Sequence, residues 1–176
     1  AREATQDASA RVHLVRSIVR LCESTSSGGA FWLQGNGYDG GAVLVLAGST
    51  LESNKAVSGG AVSVVYGATV QVEESTTSYL KNNVATVVGG AVSLQSESSL
   101  TVSGVGSKLV VDGNTAQQGG GVHASLASTL TVSSGARLEV SNNKALTWPH
   151  GGGGIFLKDE GTRLDVHGDE TQLIVS

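Results

Sequence analysis

Two motifs recurring about every 30 residues, with alternating apolar runs between them, predict an all-β chain. The specific expectation is a right-handed parallel β-helix, a solenoid with three strands per rung and five to six rungs. The first motif is a glycine pair, a small residue and an apolar residue. It reads Gly28-Gly29-Ala30-Phe31, Gly59-Gly60-Ala61-Val62, Gly89-Gly90-Ala91-Val92, Gly119-Gly120-Gly121-Val122 and Gly152-Gly153-Gly154-Ile155, at intervals of 31, 30, 30 and 33 residues. The second is an apolar residue followed three positions later by Asn and five later by Ala: Leu51/Asn54/Ala56, Leu80/Asn83/Ala85, Val111/Asn114/Ala116 and Val140/Asn143/Ala145. A degenerate copy, with Ser24 at the Asn position, starts at Leu21. An antiparallel sandwich would not keep two motifs on one interval.

Each element follows in chain order. Residues 1–10 form a polar N-terminal segment, and Val12, Leu14, Ile18 and Val19 suit strands, with a helix over Ala8–Leu21 as the alternative. The third unit alternates over Ala91–Leu94, Ser99–Val102 and Lys108–Val111. The fourth repeats this over Val122–Leu126, Thr129–Val132 and Arg137–Val140. One rung cannot bury its own apolar side, so neighbours stack about 4.8 Å apart into a rod on the order of 25 Å long. Each glycine pair opens a strand at a sharp corner, where a positive φ suits Gly. Asn tolerates the left-handed region too, and Asn54, Asn83, Asn114 and Asn143 are expected to stack as an amide ladder.

Composition narrows the function classes. The 176 residues carry a formal charge of -4, which disfavours nucleic acid as a partner. No apolar run reaches the roughly 20 residues of a membrane-spanning helix, and Ala1–Arg11 has no signal-peptide core. Residues 1–176 read as a single β-helix domain, and the absent initial Met makes it an expected segment of a longer chain. One cysteine, Cys22, excludes a multi-Cys zinc module and is expected to be a buried, inert thiol.

The paired motifs resemble the repeats of the chlamydial polymorphic outer membrane proteins, in which GGA[ILV] alternates with FxxN. The similarity runs from Leu21 to about Phe156. The chain departs from that pattern with Leu51, Leu80, Val111 and Val140 in place of Phe, and with Gly121 and Gly154 in place of Ala. The resemblance implies a passenger segment of an autotransporter, at the cell surface or outside the cell, acting in adhesion.

Function on such a rod belongs to outward side chains. On the first strand of successive rungs these are Trp32, Ser63, Ser93, His123 and Phe156. The 33-residue unit carries an insertion, Leu146–His150, which places Trp148 and His150 on a loop. Trp32, Trp148, His150 and Phe156 are therefore the candidate contact residues. Glycoside hydrolysis requires two carboxyls at a defined separation, and no two acids fall at equivalent places of adjacent rungs, so no enzyme activity is expected. The histidines read as surface residues, and the acids around Asp159, Glu160, Asp165 and Asp169 as a solvated end, so neither a cofactor nor a metal is expected. The expected partner is another protein or further rungs of the same solenoid. The alternatives are a carbohydrate-binding or carbohydrate-processing rod with a glycan as ligand, and an auxiliary subunit of an assembly.

Overall fold

A computed structural model describes residues 10–36, 41–147 and 151–176, and among them every regular element is a strand. The first turn supplies β1 (Arg11–Val15), β2 (Ile18–Arg20) and β3 (Phe31–Gln34). The second supplies β4 (Val43–Ala47), β5 (Thr50–Glu52), β6 (Lys55–Ser58) and β7 (Val62–Val65). The third holds β8 (Thr69–Val72), β9 (Thr77–Lys81), β10 (Val84–Val88) and β11 (Val92–Gln95). The fourth holds β12 (Ser99–Ser103), β13 (Lys108–Asp112), β14 (Thr115–Ala116) and β15 (Val122–Ala124). The fifth holds β16 (Thr129–Ser133), β17 (Arg137–Ser141), β18 (Lys144–Ala145) and β19 (Ile155–Leu157), after which come β20 (Arg163–His167) and β21 (Gln172–Val175).

Equivalent strands pair in parallel, one turn to the next, in four sheets. Sheet A runs β1-β4-β8-β12-β16-β20, sheet B β2-β5-β9-β13-β17-β21, sheet C β6-β10-β14-β18, and sheet D β3-β7-β11-β15-β19. Leu100 pairs with Val70 on one side and Leu130 on the other, 30 residues away each time, so the solenoid period equals the sequence period. Residues 10–21 carry β1 and β2, not a helix.

The three expected strands per turn are present, and a fourth joins them as sheet C. Its strands span only two to five residues. Their inward side chains are the motif alanines, Ala56, Ala85, Ala116 and Ala145, too small to register as an apolar alternation.

Inward side chains stack in columns. Leu44, Val70, Leu100 and Leu130 form one, Leu51, Leu80, Val111 and Val140 another, and Val62, Val92 and Val122 a third; all are buried. Each fully buried Leu contributes on the order of 2 kcal/mol relative to exposure.

The corners explain both motifs. Gly28, Gly59, Gly89 and Gly119 are left-handed, with φ between +59° and +66°, while Gly152, entered from the lengthened unit, is not. In the first four pairs the second glycine is needed for close approach of the next turn. A Cβ on Gly60 would lie 2.2 Å from the Gly90 carbonyl oxygen, and Gly29, Gly90 and Gly120 face the next turn the same way.

The asparagines do stack, but their role is not the left-handed turn. That conformation belongs to the residue before each: Leu21, Ser53, Asn82, Gly113 and Asn142. The ladder asparagines form a buried amide chain. Asn83 Oδ1 accepts both the backbone N–H and Nδ2 of Asn54, each at 3.0 Å. Asn83 Nδ2 donates to Asn114 Oδ1 and to the Leu51 carbonyl, both at 3.0 Å. Asn114 repeats this with Asn143 and Leu80. Both oxygen lone pairs and both amide hydrogens are thus used, which is what makes a buried primary amide tolerable.

The first-turn copy sits two residues earlier than the sequence suggests. Val19 pairs with Leu51, the Lys55 N–H donates to the Cys22 carbonyl, and the Cys22 N–H donates to Asn54 Oδ1 at 3.1 Å. Cys22, not Ser24, therefore holds the ladder position. Leu21 is left-handed and 73% exposed rather than inward, and the Cys22 thiol is only partly buried.

Candidate functional site

The outer column of sheet D is in the expected order: Trp32, Ser63, Ser93, His123 and Phe156 are consecutive register partners. Trp32 is 56% exposed and lines a hollow of about 340 Å³ with Ser26 and Ser27. Ser63 and Ser93 are buried. His123, expected at the surface, is only 4% exposed, with the half-buried Phe156 ring 5.6 Å away and tilted by 30°. Phe156 therefore gives one side to packing. The His123 Nδ1 atom has no hydrogen-bond partner among the described residues. Burial first, and then the Lys158 charge, hold His123 below its usual range, and Asp159 opposes them. Trp148 and His150 lie outside the described residues.

Sheet A has a different exterior. Thr69, Ser99 and Thr129 are register partners on three successive turns, and Thr101 pairs with Thr131 beside them. Thr69 Oγ1 and Ser99 Oγ are 3.0 Å apart, and Ser133 Oγ donates to Ser103 Oγ at 3.1 Å. Nearer the first turn the surface changes, because β4 is apolar on both faces. Leu44 and Leu46 point into the core, so Val43, Val45 and Ala47 point out. Strands β1 and β8 flank β4. His13 on β1 reaches past it, Nε2–H donating to Glu73 Oε2 at 3.1 Å, and Val45 is left 4% exposed.

Beside this contact a groove of about 330 Å³ gathers Arg11, His13, Gln71, Glu73, Glu74, Thr101 and Ser103, together with the apolar Val45 and Val72. Sequence reasoning missed it because His13 and Glu73 are 60 residues apart and two turns from each other. The one available signal was the unbroken apolar run of β4, whose outward half needs a cover.

Sheet B carries paired charges. Glu139 Oε2 lies 2.8 Å from Lys108 Nζ, and Glu139 Oε1 lies 2.5 Å from an Arg137 terminal nitrogen. The Lys108 hydrogen bond is the main cause that lowers the Glu139 pKa. Asp112 accepts from Asn142 at 2.8 Å and Ser141 at 2.7 Å, and these bonds, Asn142 first, lower its pKa. Glu52, Lys81 and Asp112 are register partners that alternate in sign, and Lys81 Nζ sits 4.1 Å above the Tyr79 ring. Glu52, Lys81 and Asp112 thus alternate acid and base, and Glu139 bridges Lys108 and Arg137, which are themselves register partners. Opposite charges facing across strands favour this register.

Among the described residues no group of three or more His, Cys, Asp or Glu is placed to hold a metal ion. In the acidic C-terminal region, Asp165 pairs with Arg163 at 2.7 Å. No helix among them is long and apolar enough to cross a membrane. No family model, curated protein or solved structure matches the chain.

Proposed function

We propose that this chain is a rigid, non-enzymatic β-solenoid segment serving as an adhesive or scaffolding rod of a larger surface, extracellular or accessory protein. One observation carries the reading. The amide ladder through Asn54, Asn83, Asn114 and Asn143 and the close-packed glycine corners lock successive turns in register. Outward side chains therefore form fixed two-dimensional arrays of hydroxyls on sheet A and ion pairs on sheet B. Fixed arrays present many weak contacts at little ordering cost, which suits attachment to an extended surface. The resemblance of the repeats to the polymorphic outer membrane proteins supports placing the rod at a cell surface.

The test is retention of the purified chain on beads coated with polysaccharides and with matrix proteins, with the coating recovered and analysed for new ends. Retention on at least one coating without cleavage is expected. Cleavage would overturn the non-enzymatic part, and loss from every coating the adhesive part.

A second reading, an auxiliary subunit docked on another protein, is favoured by the exposed Trp32, with Val57 and Val87 exposed on the adjoining sheet C. Light scattering on the complex isolated from its source distinguishes it: a stoichiometric partner that Trp32→Ala releases would favour docking over adhesion.

A further inference from the structure

We infer that the groove on the outer face of sheet A is a binding site for a short, neutral glycan. This deepens the adhesive reading and rests on it. The groove's volume, about 330 Å³, falls at the lower end of the range of small-ligand sites. Val45 and Val72 share its lining with polar groups suited to sugar hydroxyls. Gln71 offers an amide that both donates and accepts, Thr101 and Ser103 offer hydroxyls, and Glu73 and Glu74 offer acceptor-only carboxylates. Vicinal sugar hydroxyls donate and accept at once, and they need that mixture.

Charge selects the class further. Two carboxylates stand against one guanidinium, Arg11, and one imidazole, His13, which is itself hydrogen-bonded to Glu73. An anionic polymer would meet Glu73 and Glu74 as like charges, and its charge would have only Arg11 and His13 to answer it. Nucleic acids and densely sulfated chains are therefore disfavoured, and an uncharged sugar is favoured.

The backbone adds a geometric argument. Gln71 and Thr101 are register partners on β8 and β12, so the groove's hydrogen-bonding groups repeat at the spacing of paired strands, about 4.8 Å. A linear glycan laid across the strands would run along this repeat. One sugar would meet Gln71 and the next Thr101. The sheet holds both side chains in place before any ligand arrives, which lowers the ordering cost of binding.

The test is an array of neutral, amino-sugar and uronate oligosaccharides probed with the wild-type chain, Gln71→Ala/Thr101→Val, and Trp32→Ala. Both groove positions are outward on a sheet whose core columns are untouched, and circular dichroism melting checks that the variant keeps the fold. The expected result is retention on one or more neutral oligosaccharides, at least tenfold weaker for the groove variant and unchanged for Trp32→Ala. Equal binding by the groove variant, or loss only with Trp32→Ala, would overturn the site while leaving adhesion standing. Binding confined to uronates would overturn the neutral class. No glycan binding together with retention on matrix protein would sink the glycan site alone. No retention on any coating would sink the adhesive reading with it.

Discussion

Asn83 is the residue on which the interior depends most. Its side chain closes four hydrogen bonds in a place no water reaches: it accepts two from Asn54 and donates to Leu51 and Asn114. Asn83→Ala leaves two Asn54 donors without an acceptor, and an unsatisfied buried group costs about 1–3 kcal/mol. The expected loss is at least about 3 kcal/mol in urea unfolding. Its neighbour Asn82 is exposed and left-handed at φ +54°, so Asn82→Gly should change stability by no more than about 0.5 kcal/mol. His123 gives a residue-scale prediction of another kind. Its pKa lies below the ordinary 6.5, chiefly because it is buried. Above that value the histidine is neutral in both states and contributes no pH dependence. As the pH falls below it, the unfolded chain takes up the proton first and stability drops, levelling only once folded His123 is protonated too. Register partner Ser93 shows that serine fits this column. Melting of His123→Ser between pH 7 and 4.5 should therefore show a shallower acid loss than wild type; parallel curves would refute it.

At the scale of the element, the glycine corners and the reverse turns answer to different constraints, and substitution separates them. A Cβ at Gly90 would lie 2.0 Å from the Gly120 carbonyl oxygen, in backbone that cannot move without separating two turns. At Gly67 the φ is +77°, but nothing lies within 4 Å of an added Cβ. Gly90→Ala is expected to unfold the chain or lower its melting temperature by more than 10 °C, since about 1 kcal/mol corresponds to a few degrees at this size. Gly67→Asn, whose side chain suits the left-handed region, should cost about 1 kcal/mol or less. The two demands on a glycine look identical in a sequence. Periodicity reveals that Gly28, Gly59, Gly89 and Gly119 matter, yet not that their partners Gly29, Gly60, Gly90 and Gly120 matter through contact. The same limit hid sheet C, whose inward alanines leave no alternation to see, and it shifted the first corner from Cys22 to Ser24. Where large side chains alternate, as in β12 and β16, strand and facing were both legible. The sheet A groove was not, because the contact between His13 and Glu73 spans two turns and obeys no local period. Trp32 was legible as an outward residue because its column repeats. His123 occupies the same column but is buried like Ser63 and Ser93, a difference in exposure along one column that its repeat does not reveal.

Over the whole molecule, stability is shared between neighbours along one axis, so position along the rod should scale the effect of one and the same substitution. Leu100 and Leu164 occupy the same inward column, linked through Leu130. Leu100 is fully buried with a turn on each side, whereas Leu164 is partly buried on β20, which is paired on one side only. Leu100→Ala removes contacts with two neighbouring turns and leaves a closed cavity, for which about 3 kcal/mol is expected. Leu164→Ala removes contacts with one, and the space it leaves opens toward solvent, so about 1 kcal/mol is expected. Native-state hydrogen exchange tells whether the loss stays local. In a chain of nearest-neighbour interfaces, Leu164→Ala should speed exchange in β20 and β21 and leave β8 and β12 unchanged. Leu100→Ala should lower protection in the turns on both sides of β12. Equal costs at the two sites, with exchange accelerated uniformly in both variants, would mean that the rod unfolds as one unit. The arrays on sheets A and B would then be held by global cooperativity and not by turn-by-turn stacking.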